Sequence, residues 1–380
     1  MCVTVSAIVL KVASRCNLNC AYCYLYNHED RSALRQPKRI SDRVFDALLS
    51  RMADQADRQG HPMSLTLHGG EPTLLGRERL EELIVRARER LGASLSGISL
   101  QTNGTLIDGE FADMLSRQGI SVGVSLDGPP ELHDRARVTH AGAGSHADVV
   151  RGIRALHGSA VAVSLLCVVS PGNDGAAAYR HFRSLGVKSM DFLLPDVSHD
   201  NRRRFYGTAA HPVADYLLPV LDAWLEEDDA QVRVAIFWDL LGRMMGSRRT
   251  LSDCFGSPAA TYVVVNTDGS IEPLDALKVC ADGITSTPLN VLTHSFHDIA
   301  GEDGLLARLL AGSIEPAPEC QRCSFFSICG GGFLPHRYAR KNGFANPSVW
   351  CEDIKILLGR LSTEVAAFGP LAELPEATAA

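Results

Sequence analysis

The chain has 380 residues, 46% of them hydrophobic, and a formal net charge of −7. That length exceeds a typical single domain and predicts one barrel plus an appendage around a sizeable core. The mild charge shows no basic stripe, which argues against nucleic acid as a partner, and no run of 18 apolar residues reads as a membrane span.

The start, MCVTVSAIVLKVASR, carries no export signal and runs straight into a cysteine motif that cleavage would destroy. A cytoplasmic location is therefore expected. The eleven cysteines cluster at the two ends of the chain, which in a reducing compartment points to iron–sulfur ligation rather than disulfides.

Apolar runs at residues 7–12, 64–68, 98–102, 122–126, 161–169 and 190–194 read as strands. Between and after them lie amphipathic stretches near 42–57, 76–91, 108–118, 147–157, 174–185 and 213–225. Six β-then-α units predict a parallel sheet with helical crossovers, its strands apolar on both faces. Six units make a partial, open (β/α)6 barrel of the TIM type, an α/β fold with room for a large substrate.

The loop after the first strand reads SRCNLNCAYCYLY and places Cys16, Cys20 and Cys23 in the spacing C-x3-C-x2-C. Three thiolates this close can hold three irons of a 4Fe-4S cluster, leaving the fourth iron open to a ligand. Zinc is the competing use, but it prefers four ligands, and only His28 lies nearby. The loop after strand two carries His68-Gly69-Gly70-Glu71-Pro72, where adjacent glycines let the backbone approach a ligand or simply make a turn. Gln101-Thr102-Asn103-Gly104 follows strand three, and Ser125-Leu126-Asp127-Gly128-Pro129 follows strand four, with Arg135 and Arg137 further on. Arg135 reads as a surface residue. Cys167 reads as a small core residue and Cys2 as incidental. Residues 198–204, SHDNRRR, read as a solvated loop at the catalytic mouth.

The three-cysteine motif, with Tyr22 before its last cysteine and the Gly-Gly-Glu loop beyond it, resembles the signature of the radical S-adenosylmethionine (SAM) superfamily. There the amino and carboxylate groups of SAM chelate the open iron, and an electron from the cluster cleaves SAM to a 5′-deoxyadenosyl radical. The resemblance implies a SAM site made of Tyr22 against the adenine, Gly69, Gly70 and Glu71 at the methionine amine, Ser125 and Arg137 on the carboxylate, and Asn103 beside them.

Past residue 254 the composition changes. A hairpin is expected at 261–271 around a D-G turn. Cys320, Cys323 and Cys329 then stand in the spacing C-x2-C-x5-C, with Gly330-Gly331-Gly332 behind and Cys351 further on. Four such thiolates suit an iron–sulfur cluster, with zinc as the alternative. This part resembles the SPASM extension of radical SAM peptide-modifying enzymes, which implies one auxiliary 4Fe-4S cluster on these four. Leu274 and Phe333 stand where that pattern has cysteines of a further auxiliary cluster, which is therefore expected to be absent, leaving Cys254 and Cys280 as thiols or a weak pair. Asp275 follows Leu274, at a place where sulfatase-maturing relatives carry a base; it reads either as a base of raised pKa or as an exposed turn aspartate. The expected division is a radical SAM partial barrel at 1–235, a SPASM-type domain at 236–360 and a tail at 361–380.

The phrases VLKVASRCNLNCAYCY, LHGGEP, QTNG, GVSLDG, DFLLPD and TDGSIEPLDALK are most similar to cyclophane-forming (FxsB-type) radical SAM peptide maturases. The resemblance implies an oxidoreductase that takes a side-chain Cβ hydrogen from a ribosomal precursor peptide and crosslinks that carbon to an aromatic ring. An external donor such as flavodoxin or ferredoxin would supply electrons. A thioether-forming maturase and a sulfatase-type oxidase that makes formylglycine are the alternatives, the latter disfavoured by the missing upstream ligands. A non-enzymatic iron–sulfur scaffold would have no need of the Gly-Gly-Glu, Ser125 and Arg137 set. No N-terminal leader-binding domain is expected. The precursor would then dock on the barrel or the Cys-rich region, for which the 261–271 hairpin is a candidate through strand addition.

Overall fold

The computed structural model describes residues 4–247, 254–255 and 259–367. Cys2 and the tail beyond Ala367 lie outside the described residues.

Nine strands form one sheet: β1 (Ala7–Ala13), β2 (Met63–Gly69), β3 (Leu95–Thr102), β4 (Ser121–Ser125), β5 (Val163–Val168), β6 (Ser189–Leu193), β7 (Arg233–Val234), β8 (Tyr262–Val265) and β9 (Ile271–Glu272). Their order is β7-β6-β5-β4-β3-β2-β1-β8-β9. All pairings are parallel except β8 with β9. The six expected strands are all present as the α/β partial barrel. β7 extends the sheet at one end and the β8–β9 hairpin at the other.

The crossover helices begin where the sequence supplies side-chain caps. Ser41, Asp108 and Asp174 each accept a backbone N–H of the first turn of the helices Asp42–Gln59, Gly109–Arg117 and Gly175–Ser184. Gly60 ends the first of these in the left-handed region.

The strands are not apolar on both faces, as buried parallel strands would be. Met63, Leu65 and Leu67 of β2 are buried in the core, while Ser64, Thr66 and His68 alternate with them and are partly open. The same alternation sets Val122 and Val124 against Gly123 and Ser125 on β4. Polar contacts run across this inner face, from Thr66 Oγ1 to Ser99 Oγ (3.0 Å) and from Gln101 Nε2 to Ser125 Oγ (3.2 Å). An open barrel explains it: the outer face packs on helices, and the inner face surrounds a cleft instead of a core.

The Cys-rich part folds against the barrel. The helix Cys351–Ala367 places Leu357, Leu358 and Leu361 in the same core as Val220, Leu221 and Leu240. Asp353 Oδ1 accepts from the N–H groups of Val213 and Ala214 (2.8 and 2.9 Å), at the start of the helix Ala214–Glu227. Trp350 is fully buried and donates Nε1–H to the Pro195 carbonyl (3.1 Å). The hairpin turns where expected, with Gly269 at φ 87° and its N–H on the Asn266 carbonyl. β8 lies between β1 and β9, and Ile271 on β9 donates outward to the Leu289 carbonyl. The hairpin thus lacks the open edge that strand addition of a peptide would use. Among the described residues no helix is long and apolar enough to cross a membrane.

Candidate active site

The cysteine loop leaves the carboxyl end of β1 and is clamped from the far side by residues 136–138, through Ala21 N to the Ala136 carbonyl (2.9 Å) and Asn19 N to the Val138 carbonyl (2.7 Å). Cys16, Cys20 and Cys23 thereby line one cleft together with Tyr22, Gly69, Gly70, Glu71, Asn103, Ser125 and Arg137. The structure brings all these sequence-predicted residues to one place, from the ends of β1, β2, β3 and β4.

Gly69 and Gly70 are required by close backbone approach. A Cβ on Gly69 would strike the Ala13 carbonyl, and one on Gly70 would strike the Arg15 backbone and the Tyr26 hydroxyl. In turn Gly70 N donates to the Ala13 carbonyl and Glu71 N to the Arg15 carbonyl, both 2.8 Å, so this loop sets the entry of the cysteine loop. Glu71 is 1% exposed. Burial raises its pKa, against bonds from the Asn103 N–H, the Thr102 and Thr73 hydroxyls and the Thr73 N–H. Its oxygens are therefore committed to holding the loops, and Asn103 Nδ2 is aimed at Asn17 (2.9 Å) and the Cys16 sulfur (3.7 Å).

Asp127 is a residue that sequence reasoning quoted without assigning. It is buried, takes Arg137 Nε–H at 2.9 Å and the Tyr22 hydroxyl on Oδ2, and takes Val168 N–H on Oδ1 (3.1 Å). Arg137 in turn lies over the Tyr22 ring at 5.4 Å and reaches the Cys20 sulfur at 3.9 Å. Arg135 is a surface residue, hydrogen-bonded to Asn173. Cys167 is fully buried beside Tyr216.

Burial pushes the Cys16 thiol up to about 12 and the Cys23 thiol up to about 11. Such thiols stay protonated until a metal displaces the proton. Among the described residues no three or more His, Cys, Asp or Glu converge on a single-ion site. The cysteines instead stand around cavities, an arrangement that suits a polynuclear cluster more than zinc. Cys320, Cys323, Cys329 and Cys351 line a second cavity of about 370 Å³ with Phe325 and Phe326. Gly331 and Gly332 turn the chain behind them at φ 94° and 81°, where a Cβ would meet Pro316 and Ser348. Both cysteine sets thus fit a 4Fe-4S group.

The place of a further auxiliary cluster does not fit one. Leu274 and Cys280 are buried in a second apolar cluster with Leu277, Val279, Ile314 and Leu334, against which Phe333 packs. Cys254 packs on the main core instead.

Asp275 is not the carboxyl of raised pKa that the sequence suggested, nor an exposed turn residue. It sits behind Tyr24, whose hydroxyl donates to it at 3.1 Å, and forms an ion pair with the buried Lys11. Burial alone would raise it, but the charges of Lys11, His68 and Lys278 outweigh that and hold it at about 2. A carboxylate that acidic is a weak base near neutral pH. Lys11 was hidden in an apolar strand, and its ion pair is visible only once β1 and the turn Asp275–Val279 are folded together.

An open parallel sheet with three cysteines at the carboxyl end of its first strand defines a class. Residues 10–185 match the model of the radical SAM superfamily, and this segment is a radical SAM domain. That match, together with the relatives below, indicates a radical SAM enzyme. Its relatives include sulfatase-maturating enzymes. The chain is 26% identical over 357 residues to a cysteine-type anaerobic sulfatase-maturating enzyme of Clostridium perfringens (strain 13 / Type A), covering 92% of this chain and 94% of that one. It is 26% identical over 261 residues to a serine-type enzyme of Bacteroides thetaiotaomicron, covering 63% and 62%. The structure of native anSMEcpe with bound AdoMet superposes with a TM-score of 0.82 at 25% identity, over 95% of this chain and 98% of that one. SuiB of Streptococcus suis, bound to its precursor peptide SuiA, shares the fold at a TM-score of 0.60 and 16% identity, over 92% and 76%.

These relatives overturn the expectation of a cyclophane-forming maturase. Sulfatase-maturating enzymes align over nearly the whole chain at 25–26% identity, and they are the alternative that the missing upstream ligands had seemed to disfavour.

Proposed function

We propose that this protein is a radical SAM oxidase of the sulfatase-maturating type, which converts a cysteine side chain of a peptide substrate to formylglycine. The full-length alignment with the cysteine-type enzyme, over 92% of this chain, carries this reading. The structure of anSMEcpe with bound AdoMet and the Kp18Cys peptide, 25% identical with a TM-score of 0.80, supports a peptide in the same cleft.

SAM on a 4Fe-4S cluster would supply the radical that removes a Cβ hydrogen, and an auxiliary cluster would accept an electron. Cys16, Cys20 and Cys23 would hold the first cluster, and Cys320, Cys323, Cys329 and Cys351 the auxiliary one. Tyr22, Gly69, Gly70, Asn103, Ser125 and Arg137 line the cleft where SAM would lie. Arg137 would place its cation beside the first cluster, in an orientation fixed by Asp127. Glu71 and Asp127 keep the loops in register, so the reacting carbon would be held without solvent around it. The substrate then loses a thiol proton to a carboxylate of the chain, and a flavodoxin- or ferredoxin-type donor restarts the cycle.

The test is anaerobic incubation of the reconstituted enzyme with SAM, a chemical reductant and a peptide carrying the cysteine motif of a sulfatase. Mass spectrometry with aldehyde trapping should show formylglycine at that cysteine and none in the alanine variant. SAM cleavage without an aldehyde would refute the assignment.

A further inference from the structure

Among the described residues the buried cationic side chains are Lys11, Arg137, Lys278 and Arg337. Three of them meet a carboxylate: Lys11 pairs with Asp275, Arg137 with Asp127 and Lys278 with Glu272. Arg337 does not. It ends the short turn Leu334–Arg337 and is 5% exposed. Its guanidinium donates to the carbonyls of Phe344 (Nε, 3.2 Å) and Glu315 (Nη2), and no carboxylate of the described residues pairs with it. Carbonyl oxygens satisfy the N–H groups but bring no counter-charge, and an uncompensated buried charge is costly. A guanidinium cannot shed its proton to escape that cost.

The segment that Arg337 grips leads into the second set of cysteines. Pro316 and Ala317 follow Glu315, and the Ala317 carbonyl accepts the Cys320 N–H (2.9 Å). A Cβ placed on Gly331 would stand 3.0 Å from Pro316 Cβ and 4.0 Å from Cys320 Cβ, so the gripped backbone, Cys320 and the glycine turn after Cys329 pack together. The charges that favour the Arg337 cation are those of Cys320 and Cys329. The charged groups that line the cysteine cavity itself are open to solvent. Glu319 is exposed, and Lys355 pairs with Glu352 (2.8 Å) with side chains 42% and 65% exposed, where water and salt screen them.

We propose that Arg337 is the counter-cation of the auxiliary iron–sulfur cluster, a positioning residue that sets how readily that cluster accepts an electron. This rests on the reading that Cys320, Cys323, Cys329 and Cys351 hold such a cluster. A cluster on four thiolates is an anion, and accepting one electron makes it more negative. A buried cation beside it favours the reduced form, and little water is present to screen the attraction. Net charge and solvent exposure are among the levers that set the potential of iron–sulfur clusters. The relation is mutual: the cluster supplies the counter-charge that Arg337 lacks, and Arg337 offsets the burial of the thiolates.

The experiment is an anaerobic redox titration, followed by EPR, of the full-length chain carrying Cys16→Ala, Cys20→Ala and Cys23→Ala, so that only the auxiliary cluster is read. In this parent, Arg337→Gln keeps a hydrogen-bonding side chain without the charge, and Arg337→Lys keeps the charge without the planar fork. Arg337→Gln should lower the midpoint potential, moving the equilibrium against the reduced cluster by about tenfold or more, which for one electron is about 59 mV. Arg337→Lys should stay close to the parent. Equal potentials in Arg337→Gln and the parent would overturn the proposal. Equal shifts in Arg337→Gln and Arg337→Lys would also overturn it, since they are the result of a structural hold on the two carbonyls alone. If Arg337→Gln does not load a cluster, Arg337→Lys decides: a potential like the parent's supports the role of the charge, and a displaced one overturns it. A parent chain that holds no iron fails the auxiliary-cluster reading, whereas a loaded cluster indifferent to the charge fails only this assignment.

Discussion

Lys11→Met separates the buried ion pair from everything else in the cleft. Lys11 and Asp275 side chains are 5% and 14% exposed, and Lys11 Nζ also faces His68 Nδ1 at 3.4 Å. Asp275 is held at about 2 against an ordinary 3.8, so its depressed pKa contributes roughly 2.5 kcal/mol of stability. Because the folded value is the lower one, that contribution is complete above pH 4 and is lost as pH falls towards 2. Removing Lys11 does more than delete it. The carboxylate is left buried with Tyr24 as its donor, and breaking such a pair costs about 3–5 kcal/mol. Asp275 escapes part of the cost by taking a proton, so the loss should be largest at pH 8 and should shrink towards pH 5. Anaerobic thermal unfolding of the holoenzyme across that range is the assay, with Lys11→Met/Asp275→Asn as the partner variant. The double variant should recover most of the loss, because no charge is stranded. Wild-type stability of Lys11→Met at pH 8, or a loss independent of pH, would refute the reasoning.

Asp127→Asn leaves Arg137 without its buried counter-charge and loosens Tyr22; anaerobic calorimetry should show SAM binding weakened at least about tenfold, or about 1.4 kcal/mol. Gly70→Ala forces a methyl into the Arg15 backbone, and the variant should fail to assemble the first cluster, read as lost iron and lost cluster absorbance. Leu274→Cys restores one ligand of the pattern but places it among Leu277, Ile314 and Leu334; iron per chain should stay at about eight, that of two 4Fe-4S clusters.

The barrel was legible because each of β1 to β6 is an apolar run followed by an amphipathic stretch. β7 was not, since two residues carry no periodic signal. The alternation of Ser64, Thr66 and His68 with Met63, Leu65 and Leu67 stood in the sequence, but a strand beside a cleft and a strand in a core differ only in what fills the space opposite. Motifs located the three cysteines, the two glycines, Ser125 and Arg137, because close approach and ligation restrict residue type. Motifs could not show Asp127 tying Tyr22 to Arg137, nor Lys11 meeting Asp275, since both depend on segments distant in the chain. The same contact decides the pKa of Asp275, which is why that expectation pointed the wrong way. Substrate class was hidden for another reason: Leu274 and Phe333 speak of ligand number, and ligand number does not specify the side chain that is oxidised.

The most direct measurement uses a cysteine peptide with a sulfatase motif, deuterated at Cβ. Formylglycine formation predicts that deuterium moves into 5′-deoxyadenosine while the same cysteine becomes an aldehyde and releases sulfide. Deuterium transfer with sulfur retained in a crosslinked peptide, or 5′-deoxyadenosine free of deuterium, would contradict it.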